Sequence, residues 1–175
     1  MEKFNVNVVL CKEYDEKTQS FIGIINRIEL DKQTRRNPIQ INIITFLSGY
    51  GEEVKQDFSL DYYMKCVKDK SLEDDEDFSD KISYLFSMSM HEDVESYNNK
   101  QKECMVASYP NTFQNIGQLE KKVLLPCEGR FEVQVFLNDT SEKKPLDRYK
   151  IYIEEEKKPL SVYYFDVVDR DEESM

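Results

Sequence analysis

The side chains that most often perform covalent catalysis are scarce in this chain of 175 residues. There is one histidine, His91, and among four cysteines Cys104 and Cys127 are the candidate nucleophiles. A histidine beside a thiol can lower the pKa of that thiol and activate it. His91, however, stands between a predicted strand and a polar segment, which is typical of an exposed histidine, and the chain has no Gly-x-Ser-x-Gly motif. We therefore expect no catalytic residues, and a protein that is not an enzyme.

Oxygen ligands for calcium are more plentiful than catalytic groups. Five aspartates from three predicted loops could meet if those loops lay at one end of the domain: Asp31, Asp74, Asp75, Asp77 and Asp147. Carboxylates suit calcium, but the acidic segment lacks the glycine and the final glutamate of an EF-hand loop. The four cysteines include no Cys-x-x-Cys pair for zinc. We expect no metal and no cofactor. Binding of calcium, lipid or carbohydrate through the acidic loops is the alternative function.

The negative charge is concentrated in two segments. Lysine and arginine number 24 against 35 acidic residues, a net charge of -11, and most of the excess lies in segments 69–80 and 166–173. With no basic stripe to contact phosphates, nucleic acid is not an expected partner. No segment approaches the roughly 20 apolar residues that cross a bilayer, and the first residues do not resemble a signal peptide. We expect a cytoplasmic protein with reduced cysteines.

Alternation of apolar and polar residues dominates the sequence and predicts β-strands. In the segment 82–90, ISYLFSMSM, one parity holds only apolar and aromatic residues and the other holds the three serines, with Leu85 among them; the first set is Ile82, Tyr84, Phe86, Met88 and Met90. The segment EGRFEVQVFLNDT places Phe131, Val133 and Val135 inward, and RYKIYIEEE alternates in the same way, so the two predict a hairpin. Eight or nine strands of this kind predict an all-β fold, a two-sheet antiparallel sandwich, with a closed barrel as the alternative. No segment shows sustained helical periodicity.

One predicted strand, LSVYYFDVV at residues 160–168, is apolar on both faces. Such a strand is either central in a covered sheet or covered by another molecule. Tyrosines exposed by alternation are favoured at protein interfaces. We therefore predict a protein-interaction module that binds a partner protein, or itself as an oligomer, through an edge strand and exposed tyrosines. The predicted partner-binding residues are Tyr152, Leu160, Val162, Tyr163, Tyr164 and Phe165.

The domain organisation follows from composition. Residues 1–168 are predicted to form a single domain, with an acidic loop at 69–81 and an acidic tail at 169–175. A chain of this length can bury a core without disulfides or metals.

The strand motifs LCKEY, FIGIINRI, INIITF and EGRFEVQVFLND together resemble an uncharacterised bacterial family of small single-domain β-sandwich proteins of unknown function. The resemblance covers residues 4–60 and 115–154, and its most specific part is Gly129-x-Phe131-x-Val133-x-Val135. It implies a β-sandwich and transfers no catalytic residue. The acidic loop and the segment 160–175 depart from the family pattern, which makes them the expected location of a function particular to this chain.

Overall fold

The computed structural model describes residues 4–31, 37–50, 58–69, 82–90, 112–125, 127–138 and 142–170. Most of these residues lie in strands, so the all-β prediction is confirmed, with one helix in addition. The strands in this part of the chain are β1 (Phe4–Asp15), β2 (Ser20–Ile24), β3 (Arg27–Leu30), β4 (Ile39–Tyr50), β5 (Phe58–Asp69), β6 (Ile82–Met90), β7 (Thr112–Val123), β8 (Gly129–Asn138) and β9 (Ser161–Asp169), and the helix α1 is Pro145–Glu154.

The strands form two sheets. Sheet A has the order β2-β1-β4-β7, and sheet B, which curls into a half-barrel, has the order β3-β9-β8-β5-β6. The chain passes from sheet A to sheet B at Ile25 and Asn26, between β2 and β3. Neighbouring strands are antiparallel except β3 and β9, which are parallel. The expectation of antiparallel pairing throughout is wrong at this pair, because β3 arrives from the other sheet rather than through a hairpin.

A core of buried side chains from both sheets lies at the alternating positions. Leu10 and Ile43 enter it from sheet A, and Phe131, Val133 and Phe165 enter it from sheet B. Each of these five side chains is at most 2% exposed. Period-two alternation therefore assigns the inward positions of β1, β4 and β8 correctly, as a strand with one covered face requires.

A β-bulge divides the predicted apolar face of β6. The β5–β6 register shifts between Tyr62 and Tyr63, which stand opposite Phe86 and Tyr84. Phe86 consequently packs into the core between the sheets, stacked on Tyr62 with ring centroids 4.2 Å apart. Tyr84 lies instead beside Tyr63 on the outer face of sheet B. A bulge inserts one extra residue, so side chains of the same parity on its two sides point to opposite faces.

The β1–β2 hairpin bends back over sheet A. The Phe21 ring lies 5.7 Å from the Phe46 ring. Along β1, however, Phe21 pairs with Tyr14 and Phe46 pairs with Asn7, which is seven residues away from Tyr14. A straight strand would separate these positions by about 23 Å. Ile22 of β2 is 52% exposed.

Helix α1 occupies the segment predicted to complete a hairpin with β8, so that prediction is wrong. Pro145 begins the helix, at a position where the missing N–H costs no helical hydrogen bond. Its buried positions are Arg148, Tyr149 and Tyr152, which lie on one helical face, while Ile153 is 53% exposed. The alternating segment KIYIE therefore belongs to a helix and not to a strand. The buried face of this helix consists of one arginine and two tyrosines, which a search for hydrophobic periodicity does not detect.

Several residues and segments named above lie outside the described residues. These are most of the predicted acidic loop at 69–81, the tail beyond Arg170, and the candidate catalytic residues His91 and Cys104. Strand β9 itself continues to Asp169, whose side chain is 2% exposed. In the described part of the chain, no helix has the length and hydrophobicity that a membrane-spanning helix requires.

Candidate functional site

Strand β9 is paired on both sides only at Asp166 and Val167. Its residues Ser161 to Val167 pair with β8, but β3 pairs only with Asp166 to Asp169. No described strand pairs with Ser161–Phe165 on the side away from β8, although β1 contacts β9. We call this five-residue stretch the β9 edge. An exposed strand edge is a template on which another chain can pair.

The direction of the backbone amides at the β9 edge follows from one hydrogen bond. The Asp166 amide donates to the Asn26 carbonyl over 3.0 Å, so the Asp166 backbone faces β3. Successive residues of a strand direct their N–H and C=O groups to opposite sides. The amides of Tyr164 and Val162 therefore point the same way as that of Asp166, into the space before the start of β3, while Tyr163 and Phe165 bond to β8.

The side chains of the β9 edge divide between the core and the outer face of sheet B. Phe165 is 2% exposed and stacks on Phe131, with ring centroids 5.6 Å apart. Tyr163 is partly buried and its hydroxyl donates to the Ile25 carbonyl over 2.7 Å. Tyr164 is 54% exposed, and Val162, of the same parity, is partly exposed. Of the predicted partner-binding residues on β9, Tyr164 and Val162 therefore lie on the accessible face.

Two other predicted partner-binding residues lie elsewhere. Leu160, just before β9, is partly buried against the core, and its amide donates to the Val135 carbonyl over 2.7 Å. Tyr152 lies on α1, is 6% exposed and donates its hydroxyl to Asp61. The structure does not bring Tyr152 to the β9 edge.

Shallow cavities on the outer face of sheet B adjoin the β9 edge. One of about 450 Å³ is lined by Val67, Arg130 and Asp166, and another of about 380 Å³ by Asn26, Tyr164 and Asp166. Arg130 bonds Asp166 through Nε at 3.0 Å and Nη2 at 3.4 Å, and this carboxylate raises the pKa of the exposed arginine. The site thus combines outward-pointing amides with concave surface for side chains, the two elements that strand addition uses.

A buried polar cluster lies under α1 on the same face of sheet B, and sequence reasoning missed it. The Asp61 carboxylate, on β5, accepts hydrogen bonds from Arg148 Nε at 2.7 Å and Nη2 at 2.9 Å. It also accepts from Ser87 Oγ at 2.5 Å and Tyr152 Oη at 2.8 Å. Asp61 is fully buried and Arg148 is 8% exposed. The available signal was Asp61 itself, an acid flanked by Leu60 and Tyr62, which requires a partner when buried.

The charges of this cluster are fixed near neutral pH. Burial raises the pKa of the Asp61 carboxyl, but hydrogen bonds from Arg148, Ser87 and Tyr152 outweigh it and hold the pKa below its ordinary 3.8. Burial and the Asp61 charge raise the pKa of Tyr63 and of Tyr152 above the ordinary value of 10. A general acid or base works best with a pKa near the operating pH. The cluster therefore suits an anchor that holds α1 on sheet B better than proton transfer.

The remaining chemical candidates do not converge in the described part of the chain. Cys127 is buried, and its Sγ lies 3.8 Å from Cys66 Sγ. Of the candidate calcium ligands, Asp31 and Asp147 are described, and Asp74, Asp75 and Asp77 lie outside the described residues. No group of three or more His, Cys, Asp or Glu side chains among the described residues is arranged to hold a metal ion.

Comparison with known proteins gives no family. No family model matches the chain, and no curated protein matches it. Among solved structures, a beta-glucosidase from Kluyveromyces marxianus in complex with glucose is 11% identical with a TM-score of 0.43, covering 94% of this chain and 14% of that one. The alkylpurine DNA glycosylase AlkC of Pseudomonas fluorescens, bound to DNA containing an abasic site analog, is 12% identical with a TM-score of 0.40, covering 94% of this chain and 30% of that one. The chain spans less than a third of either protein, and likenesses this distant identify neither fold nor function.

Proposed function

We propose that this protein is a non-enzymatic interaction module, a two-sheet β-sandwich that binds an extended segment of a second protein chain at the β9 edge. The observation that carries the proposal is the pairing of Ser161–Phe165 with β8 alone among the described strands. An added strand would receive the outward amides of Val162 and Tyr164. Each such hydrogen bond contributes about 0.5–1.5 kcal/mol net.

The side chains around the β9 edge also favour binding of an added strand. Tyr164 offers a large, partly apolar surface that loses little conformational entropy on binding. Neighbouring cavities beside Arg130 and Asp166 can receive alternate side chains of the added strand. The pocket chemistry then supplies specificity, and the main-chain hydrogen bonds supply affinity.

The second chain is either a copy of this protein or a different protein. The salt dependence of association distinguishes the two alternatives. Two β9 edges could pair antiparallel about a twofold axis, as symmetric dimers require. Each copy carries a net charge of -11, so repulsion opposes self-association and salt should strengthen it. We expect sedimentation velocity to show a dimer fraction that rises with protein and salt concentration if the partner is a second copy.

A proline at position 162 tests the edge itself. Val162→Pro removes an amide that points away from β8, a position where an edge strand tolerates proline. The matched control Val162→Thr keeps the amide and the branched shape. We expect the proline variant to lose dimerisation, or affinity capture of a partner from cells that express this chain, while its circular dichroism is unchanged. Association equal in the two variants would contradict binding at the β9 edge.

A further inference from the structure

A cavity separates the outer edge of sheet B from sheet A. Strand β3 pairs with β9 on one side, and on its other side no described strand pairs with it. A cavity of about 600 Å³ lies there, between β3, Lys12 of β1 and the start of β4 at Ile39 and Gln40. This volume falls within the roughly 300–1,000 Å³ of small-molecule sites. It shares Arg27 with the shallow cavities beside the β9 edge, and its other lining residues differ from theirs.

The floor of this cavity is aliphatic. Ile25 and Leu30 are 5% and 6% exposed and belong to the main core, and Ile28 and Ile39 pack partly exposed against it. Partly exposed aliphatic side chains at the base of a concavity gain free energy when an apolar ligand removes them from water.

The rim of the cavity is basic, in contrast to the rest of the chain. Lys12, Arg27 and Arg170 line it, with Glu29 as the only acidic lining residue in the described part of the chain. Glu29 contacts the Nε atoms of Arg27 and Arg170 at 3.6 and 4.0 Å, and all three side chains are between 43% and 67% exposed. Exposed ion pairs of this length contribute little. A ligand carboxylate can therefore compete with Glu29 for the Arg170 guanidinium through shorter, bidentate hydrogen bonds.

Lys12 is directed to this rim by a glycine on the neighbouring strand. Gly23 has φ +65°, and a Cβ placed on it would come within 3.0 Å of Lys12 Cδ and 3.2 Å of Cγ. The absent side chain at position 23 leaves room for the aliphatic stem of Lys12, so its ammonium group can reach the cavity.

We propose that this cavity binds a small amphiphilic anion: an aliphatic carboxylate whose chain covers the isoleucine floor and whose head group contacts the rim cations. The aliphatic floor accounts for the tail, and a rim with three basic residues in a chain of net charge -11 accounts for the anion. Neither half of the ligand alone would satisfy the site.

Calorimetry with three probes tests the proposal on the full chain. Octanoate carries both features, octanol only the chain, and acetate only the head group. We expect octanoate to bind at least tenfold more tightly than either of the other two. Amide chemical shifts should move for Ile28, Leu30 and Ile39. Absence of saturable octanoate binding at millimolar concentration, or equal binding of octanol, would overturn the proposal.

Two charge-matched variants locate the binding. Arg170→Gln removes a rim cation, whereas Arg130→Gln removes a cation that does not line this cavity. We expect Arg170→Gln to weaken octanoate binding about three- to tenfold, which corresponds to about 0.7–1.4 kcal/mol, and Arg130→Gln to leave it unchanged. Equal weakening by both would indicate attraction to overall charge and would refute a specific site. Circular dichroism of both variants verifies that each remains folded.

Discussion

Replacement of Asp61 by asparagine should destabilise the protein far more than the same substitution at an exposed ion pair. Asp61→Asn keeps the shape of the side chain but removes its charge. One of the two oxygens, which together accept four hydrogen bonds of 2.5–2.9 Å, becomes an amide donor. Arg148, 8% exposed, then loses its buried counter-ion.

The expected loss can be worked from these contacts. Breaking a buried ion pair by removing one partner costs about 3–5 kcal/mol, because the remaining charge stays uncompensated. The amide of asparagine still offers one acceptor, so we expect a loss of about 3 kcal/mol in the free energy of unfolding. That is a large fraction of the roughly 5–15 kcal/mol by which domains are stable. Asp166→Asn is the control, because Asp166 pairs with Arg130 at a site where both side chains are about half exposed; it should cost about 0–1 kcal/mol.

Urea unfolding followed by far-UV circular dichroism measures both variants. The double variant Asp61→Asn with Arg148→Met removes both charges and should recover stability to within about 1–2 kcal/mol of the unchanged protein. Should Asp61→Asn prove too unstable to purify, that recovery in the double variant still reports the buried charge. Equal unfolding free energies for Asp61→Asn and Asp166→Asn would refute the anchoring role of the cluster.

The same carboxylate gives a direction for the effect of acid. The folded-state pKa of Asp61 is below its ordinary 3.8, so its contribution is fully present above about pH 4 and is lost as pH falls through the folded pKa. Asp61→Asn should therefore flatten the decline of stability with acid.

Three further outcomes test the fold around the sites. Phe165→Ala should cost about 3–5 kcal/mol and Tyr164→Ala less than about 1 kcal/mol in urea unfolding, because only the first ring is buried; equal costs would contradict the assigned faces of β9. Gly23→Ala should cost about 1–2 kcal/mol, since its φ is +65°, and a melting temperature unchanged by the substitution would argue against that conformation. Tyr62 hydrogen-bonds Thr45 Oγ1 at 2.7 Å, and burial raises its pKa to about 12. The free energy of unfolding should therefore fall as pH rises above about 10, and Tyr62→Phe should lessen that fall. An alkaline stability profile that Tyr62→Phe leaves unaltered would count against the burial of Tyr62.

Local alternation predicted the inward faces of several strands because a half-covered strand must alternate. Phe131, Val133 and Val135 were placed inward and lie in the core. The same alternation predicts that the residues between them, Glu132 and Gln134, point outward. Both are nevertheless buried, at 8% and 9% exposure, with Gln134 accepting a hydrogen bond from Tyr149 of α1. Strand parity indicates a face, but not whether a distant segment covers it.

The features that the sequence did not reveal depend on non-local pairing or on irregular backbone. The bulge opposite Tyr62 and Tyr63 sends Tyr84 and Phe86 to different faces, although they share a parity. The parallel pairing of β3 with β9 joins segments about 140 residues apart, which no local pattern encodes. Hydrophobic periodicity did not predict helix α1, because its buried face is made of one arginine and two tyrosines rather than aliphatic residues.

The candidate site was predicted in part. Apolar residues on both faces of segment 160–168 indicated a strand that needs cover on two sides. In the structure, one face of this strand packs into the core and the other lies on the outer face of sheet B. Which of its rings is exposed depends on its neighbours: Phe165 is opposite Phe131 in the core, and Tyr164 is opposite Glu132 on the outer face. The open edge itself depends on where β3 begins, and sequence periodicity does not carry that information.

Hydrogen exchange of individual β9 amides tests the open edge most directly. In the monomeric protein, we expect the amides of Val162 and Tyr164 to exchange much faster than those of Tyr163 and Phe165, and to become protected when the protein associates. Four amides equally protected in the monomer would contradict the account, because another part of the chain would then already occupy the edge.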